Sequence, residues 1–221
     1  MRRIPAKILS PFLKRFVKVY FKKPRRYNYL GIQGTILPTV FFPHFTQSTR
    51  ILMDVMNEKK LQGKTLLELG CGTGLISTLC AKNGGIVTAS DINPKAVENA
   101  ELNAKNNSVK INTIQSDLFD AIPAQKFDFI LINPPYYPKK PANMAENAWF
   151  CGEDFAYFKK LFLQLGNFID DQSTVLMILS EDCAFDKIQQ LGQKKGFGFE
   201  VVLRQRKKGE DYFVYGVKRS S

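Results

Sequence analysis

From Lys64 onward, short apolar runs alternate with stretches whose apolar residues recur at helical spacing, a pattern that predicts parallel βαβ units in one domain. Thr65 to Leu69 reads as a first strand, followed by a helix from Gly74 to Lys82. Ile86 to Ser90 reads as the second strand. Asn93-Pro94 then opens a helix that carries Ala96, Val97, Ala100 and Leu102 toward Asn106 and Asn107. Proline suits the first helical position, where its missing N–H would have no partner. Ile111 to Gln115 is a short third strand, and Phe127-Asp128-Phe129-Ile130-Leu131-Ile132 is apolar enough to be a strand covered on both faces. Phe155 to Phe168 places Phe155, Phe158, Phe162 and Leu165 on one helical face, and Asp170-Asp171 closes it. Thr174 to Leu179 is a fifth strand, Ala184 to Lys195 a helix, and Phe197 to Arg204 and Tyr212 to Lys218 two further strands. Gln205 to Asp211 is too short for a crossover helix. These last two must therefore pair antiparallel, and one strand of an otherwise parallel sheet is reversed.

At 221 residues, 44% of them hydrophobic, the chain can build one sizeable α/β core but not two comfortable ones. Cys71, Cys80, Cys151 and Cys183 form no C-x-x-C pair, and with one histidine they offer no zinc set, so they read as reduced core thiols of a cytoplasmic protein. No run is long enough for a membrane span, and Lys14, Arg15 and Lys18 interrupt the one place where a secretory signal could lie.

Charge changes this picture. Eleven Lys and Arg and no acid precede Asp54, so almost the whole net charge of +12 belongs to the N-terminal segment. Residues 1–35 read as a basic arm, and 36–221 as the domain. With Phe12, Phe16, Tyr20, Phe21, Tyr27 and Tyr29 among the cations, the arm suits the phosphates and bases of a nucleic acid, RNA or ribosome. A solvated tail, an amphipathic helix on an anionic membrane and an organellar transit segment are competing readings.

Two segments carry candidate chemistry. Glu68-Leu69-Gly70-Cys71-Gly72-Thr73-Gly74 lies at the turn from the first strand into the first helix, where glycines let backbone approach a ligand. Leu75 stands where a dinucleotide fingerprint has its third glycine, and no G-K-[S/T] follows, which argues against NAD and against a P-loop. Glu68 would repel a pyrophosphate and welcome a cation. S-adenosylmethionine, with an ammonium, a sulfonium and one carboxylate, matches better. Asp91, ending the second strand, is placed to accept both hydroxyls of a ribose. Asp117, after the third strand, is placed to accept from an adenine amino group, with Ile92 and Leu118 beside the two acids. Each acid alone reads more readily as a solvated cap than as a ligand; three at successive strand ends beside a glycine turn reverse the balance in favour of function. Cys71 reads as a small filler between the glycines, and His44 as a loop histidine. The second segment, Asn133-Pro134-Pro135-Tyr136, follows the fourth strand. It is either an ordinary proline turn or an amide oxygen, two ring-locked positions and an aromatic face arranged for a planar substrate bearing NH2.

With these residues in view, the chain resembles the class I S-adenosylmethionine-dependent methyltransferases from about Ile36 to Lys218. Glu68 to Gly74 is similar to their glycine motif, Asp91 and Asp117 to their ribose- and adenine-binding acids, and Asn133 to Tyr136 to the N-P-P-Y of enzymes that methylate exocyclic or amide nitrogens. Pro38-Thr39-Val40-Phe41-Phe42-Pro43-His44-Phe45-Thr46-Gln47-Ser48-Thr49 resembles the P-G-V-F-x-P…S-T segment of HemK-like and related small methyltransferases, which folds over the cofactor; Thr39 replaces its glycine, and Thr49 falls in its S-T. The resemblance implies a doubly wound, mostly parallel, seven-stranded Rossmann-like sheet with an antiparallel last strand. It also implies S-adenosylmethionine as cofactor, with Asn133 and the Pro134 carbonyl taking the two N–H protons of the acceptor while Pro135 shapes the turn and Tyr136 stacks on the planar group. Three functions follow: methylation of a base amino nitrogen in RNA or DNA, which the basic arm favours; methylation of a protein glutamine, whose carboxamide presents the same NH2; and a non-catalytic nucleic-acid-binding protein that retains the pocket.

Overall fold

The computed structural model describes residues 23–41, 43 and 47–220. Among these described residues nine strands and five α-helices follow one another as β1 (Arg25–Tyr29), β2 (Ile32–Ile36), α1 (Ser48–Asn57), β3 (Thr65–Leu69), α2 (Leu75–Lys82), β4 (Ile86–Asp91), α3 (Pro94–Asn106), β5 (Asn112–Gln115), β6 (Phe129–Ile132), α4 (Ala156–Gln164), β7 (Thr174–Ser180), α5 (Phe185–Gln193), β8 (Phe197–Lys207) and β9 (Glu210–Arg219). The main sheet runs β5-β4-β3-β6-β7-β9-β8 and is parallel except for β9, which is antiparallel to both neighbours. This is the expected sheet. β8 and β9 are longer than their sequence pattern suggested and leave only Lys208-Gly209 as the turn, because their ladder continues beyond Ser180, where β7 ends.

Side-chain alternation divides the core between the two faces of the sheet. Leu67, Leu69, Ile130 and Ile132 point into the same cluster as Phe158, Leu161 and Phe162 of α4 and Ile188 of α5. Leu66, Leu131 and Leu176 point to the other face, against Leu52 and Met56 of α1 and Leu75, Ile76 and Leu79 of α2. The helix expected from Phe155 to Phe168 is shorter. Gly152, Asp154 and Phe155 all have positive φ before it starts, and a 3-10 turn over Leu165–Asn167 ends it. Helix α1 was not anticipated, although Ile51, Leu52, Val55 and Met56 form a legible apolar face.

The β1–β2 hairpin lies on the arm side of the expected boundary between residues 1–35 and the domain from residue 36. It packs into the body, with Tyr27, Ile32 and Ile36 buried in the cluster under α1 and α2. Arg50 and Tyr29 do not serve as free cation and free ring: the Arg50 guanidinium lies over the Tyr27 and Tyr29 rings and donates to the Tyr27 hydroxyl (3.1 Å), while Tyr29 donates to Asp54 (2.7 Å). The division at residue 36 falls at the last residue of β2. The rest of the arm, including Phe12, Phe16, Tyr20 and Phe21, lies outside the described residues, as does His44.

The free edge of β2 is covered by side chains instead of a strand. Asn99 and Asn103 on α3 and Asn107 at its C-cap are spaced one turn apart and meet Leu37, Thr35 and Gln33. The amides of these three residues donate to the three side-chain oxygens at 2.9, 2.7 and 2.9 Å, in that order. The asparagine nitrogens donate back to the carbonyls of Thr35 and Gln33. The periods match: four helical residues rise about 6 Å and two strand residues about 6.7 Å. A helix can therefore satisfy one strand edge, which would otherwise invite pairing.

Candidate functional site

In a doubly wound sheet a crevice opens where consecutive connections leave in opposite directions, here between β3 and β6. A cleft of about 320 Å³ lies there. It is lined by Thr49, Glu68, Gly70, Cys71, Gly72, Asp91, Ile92, Asp117, Leu118, Asn133, Pro134, Pro135 and Tyr136. Of the residues singled out in the sequence, Gly74 alone does not line it. Gly74 has φ 66°, and a Cβ there would come within 2.4 Å of that of Ala100, so its role is to let the glycine turn pack on α3.

The floor of the cleft is built by hydrogen bonds among strand ends. One oxygen of Asp91 accepts from the Gly72 amide and the other from Asn93, both at 2.9 Å, which ties the glycine turn to the end of β4. Glu68 is buried, and one of its oxygens accepts from the backbone and the hydroxyl of Ser77, at 2.9 and 2.5 Å. Burial pushes the Glu68 carboxyl up to about 7, with the Ser77 hydrogen bonds acting against the shift. Burial also raises Asp91, opposed by its backbone hydrogen bonds. Among the described residues, neither carboxylate is paired with a cation. Two such carboxylates facing a glycine-lined cleft are a donor set suited to a cationic ligand with a ribose. Burial drives the Cys71 thiol far above its ordinary value, in keeping with a filler.

Asp117 has a partner that the sequence did not disclose. Lys160 of α4 reaches both Asp117 and Asp120 at 2.6 Å, and Gln164 also donates to Asp120. Lys160 lines the cleft beside Leu118, whose φ of 54° turns the backbone after the acid. One Asp117 oxygen is thus held by a lysine, and the other makes no hydrogen bond among the described residues. The signal that could have found Lys160, a cation facing two acids 43 and 40 residues away, is not local in sequence.

At the other end of the cleft the N-P-P-Y leaves β6. The Asn133 side chain makes no hydrogen bond with any described residue. Tyr136 is half-buried against the core, and its hydroxyl accepts from Ser180 at the end of β7 (3.1 Å), which fixes the ring. Burial raises the Tyr136 hydroxyl far above its ordinary value, so it stays protonated. The loop that follows is pinched by a bridge between Tyr137 and Phe150 and returns Met144 and Trp149 to the cleft. The Trp149 ring lies 5.2 Å from that of Phe41, so the segment after β2 and this loop meet across the mouth. Thr39, in place of the glycine of the similar motif, keeps a left-handed conformation, φ 70°.

No helix among the described residues is long and apolar enough to cross a membrane, and no cluster there could hold a metal ion. Residues 36–150 match the model of the methyltransferase small domain. A Methanocaldococcus jannaschii protein provisionally assigned as a protein N5-glutamine methyltransferase is 35% identical over 80% of this chain and 90% of its own length. The ribosomal RNA small subunit methyltransferase C of Hamiltonella defensa is 33% identical over 51% of this chain but only 34% of its own. A T. thermophilus 16S rRNA methyltransferase solved with AdoMet and guanosine shares the fold with a TM-score of 0.63, at 18% identity over 90% of this chain and 50% of that one. The family match over residues 36–150 and the 35% identity over 80% of the chain settle the assignment: the chain belongs to the methyltransferase small domain family and is an S-adenosylmethionine-dependent methyltransferase.

Proposed function

We propose that this enzyme methylates a planar amide nitrogen, the carboxamide of a glutamine in a protein substrate. The observation that carries the reading is Asn133, whose amide is free among the described residues at the cleft wall, next to a ring held by Ser180. A conjugated NH2 is a poor nucleophile because its lone pair is delocalised. The Asn133 oxygen and the Pro134 carbonyl can accept hydrogen bonds from its two N–H groups, favour a pyramidal nitrogen and leave the lone pair aimed into the cleft; the one proton lost as the N–CH3 bond forms goes to solvent, so no strong base is needed. When bound, S-adenosylmethionine supplies the electrophilic methyl group. Glu68 and Asp91 hold its cationic and ribose ends, and Asp117 with Leu118 its adenine. Trp149 and Phe41 exclude water from the mouth.

The basic arm ranks a nucleic-acid base first as acceptor, and two observations move glutamine ahead. Tyr27, Tyr29 and Arg50 are engaged within the fold. The relative matched over nine-tenths of its length is the one assigned to glutamine, whereas the rRNA enzyme is matched over a third. The base amino nitrogen is the second reading, carried by the remaining cations of residues 1–22. Incubation with methyl-labelled cofactor and separated protein, RNA and DNA fractions tests this. Label is expected in protein and in methylglutamine after hydrolysis. Label in RNA that is lost when residues 1–22 are removed selects the second reading, and label in neither fraction rejects both acceptors.

A further inference from the structure

Asn103 differs from the other two members of the asparagine row in one respect. Its oxygen accepts from the Thr35 amide (2.7 Å), and its nitrogen donates both to the Thr35 carbonyl (3.0 Å) and to the Thr73 carbonyl (2.8 Å). Thr73 belongs to the glycine turn and lines the cleft. Asn99 and Asn107 bond to the strand alone, or to their own helix. Three partners, one donor and two acceptors, fit the Asn103 amide in only one orientation, and the residue is completely buried.

The two things Asn103 joins are the floor and the cover of one cleft. The glycine turn has Gly70, Gly72 and Gly74 all at positive φ, a backbone with little intrinsic preference for one shape. The cover begins where β2 ends and brings Thr39 and Phe41 to the same cleft. Leu75, directly after the turn, packs on Gly34 of β2, and Asn103 adds hydrogen bonds from the turn itself to the same strand. We infer that Asn103 is a positioning residue that fastens the glycine turn to the β1–β2 hairpin, so that cofactor binding and the order of the hairpin are coupled. The inference rests on the assignment of the cleft to S-adenosylmethionine. Coupling of this kind is reciprocal: a ligand that needs the turn in one shape must also tighten the strand held by the same side chain.

The test compares Asn103→Ala with Asn99→Ala, an equally buried neighbour that stitches the same strand without touching the turn. Calorimetry with S-adenosylmethionine is expected to show at least a roughly tenfold loss of affinity for Asn103→Ala, equivalent to about 1.4 kcal/mol, and less than about threefold for Asn99→Ala. Equal losses in the two variants overturn the inference and leave a purely structural row. Should Asn103→Ala fail to fold, amide exchange in the unaltered protein decides. Saturating S-adenosylmethionine is expected to slow exchange at Gln33 and Thr35, and unchanged rates there overturn the coupling. An unaltered protein that does not bind S-adenosylmethionine at all rejects the cofactor assignment instead, which is a separate outcome.

Discussion

Leu69 and Ile132 face each other as the last paired residues of the two central strands, so Gly70 and Asn133 step out of the sheet side by side. Adjacent strands lie about 4.8 Å apart. The glycine turn and the N-P-P-Y, 59 residues apart at their nearest labelled members in sequence, thus open onto one cleft from neighbouring positions. A donor held by one strand end and an acceptor held by the next need no further device to meet.

Asn133→Ala removes a proton acceptor and disturbs no recorded hydrogen bond. Single-turnover methyl transfer should fall by roughly 10²- to 10³-fold, as for other preorganised polar groups that act mainly in the transition state. Cofactor affinity by calorimetry should stay within about threefold. Transfer at the unaltered rate would remove Asn133 from the chemistry.

Glu68 makes the ligand-free protein sensitive to pH. Its carboxyl titrates near 7 when folded, against an ordinary value of 4.5. Between those values the folded state keeps a proton that the unfolded state has lost, so stability falls as pH rises through the window, by of order 3 kcal/mol at about 1.4 kcal/mol per pH unit, and then levels off above pH 7. Asp91 shifts in the same direction. A cationic ligand prefers the ionised carboxylate, so affinity for S-adenosylmethionine should rise with pH up to about 7. Glu68→Gln should flatten both profiles in denaturant titrations and calorimetry; profiles that keep their slope would place the titration elsewhere.

Asp91→Asn keeps the side-chain shape but loses the charge and one of the acceptors that hold Gly72 and Asn93. Hydrogen bonds to a charged group are worth about 1.5–3 kcal/mol, so cofactor affinity should drop by roughly 10- to 100-fold. Unchanged affinity for S-adenosylmethionine would count against the ribose role.

Thr39 holds an exposed β-branched side chain at φ 70° in the cover. Backbone strain there costs about 1–3 kcal/mol, and glycine gives back about 0.5–1 kcal/mol through its freer unfolded state. Thr39→Gly should therefore raise stability by about 1 kcal/mol in equilibrium unfolding. A loss of stability would mean that contacts of the Thr39 side chain outweigh the strain.

Much of the main sheet was legible because its signals are local. Thr65 to Leu69 and Ile86 to Ser90 are short, mostly apolar runs, the run to Ile132 is apolar on both faces, and Asn93-Pro94 announces a helix whose first turn Asn93 caps by accepting from Lys95. Three features were not legible. The β1–β2 hairpin hides in a cation-rich stretch whose turn, Leu30-Gly31, lacks the usual asparagine or aspartate, and its stabilising partners Arg50 and Asp54 lie on α1. Lys160 meets Asp117 only because α4 packs beside the end of β5. The role of Asn99, Asn103 and Asn107 depends on a strand placed alongside α3, which no periodicity within α3 reveals.

By itself the sequence determined the α/β class, the reversed strand, the glycine turn and the chemistry offered by Glu68, Asp91 and Asn133, because these depend on residue type and on spacings of a few residues. Tertiary structure alone decided that Tyr27 and Tyr29 support the fold, that Lys160 shares Asp117, and that one buried asparagine joins the floor of the cleft to its cover. Those outcomes rest on a cation–π contact, hydrogen bonds and an ion pair between residues 21 to 68 positions apart, and such pairs exist only after the chain has folded.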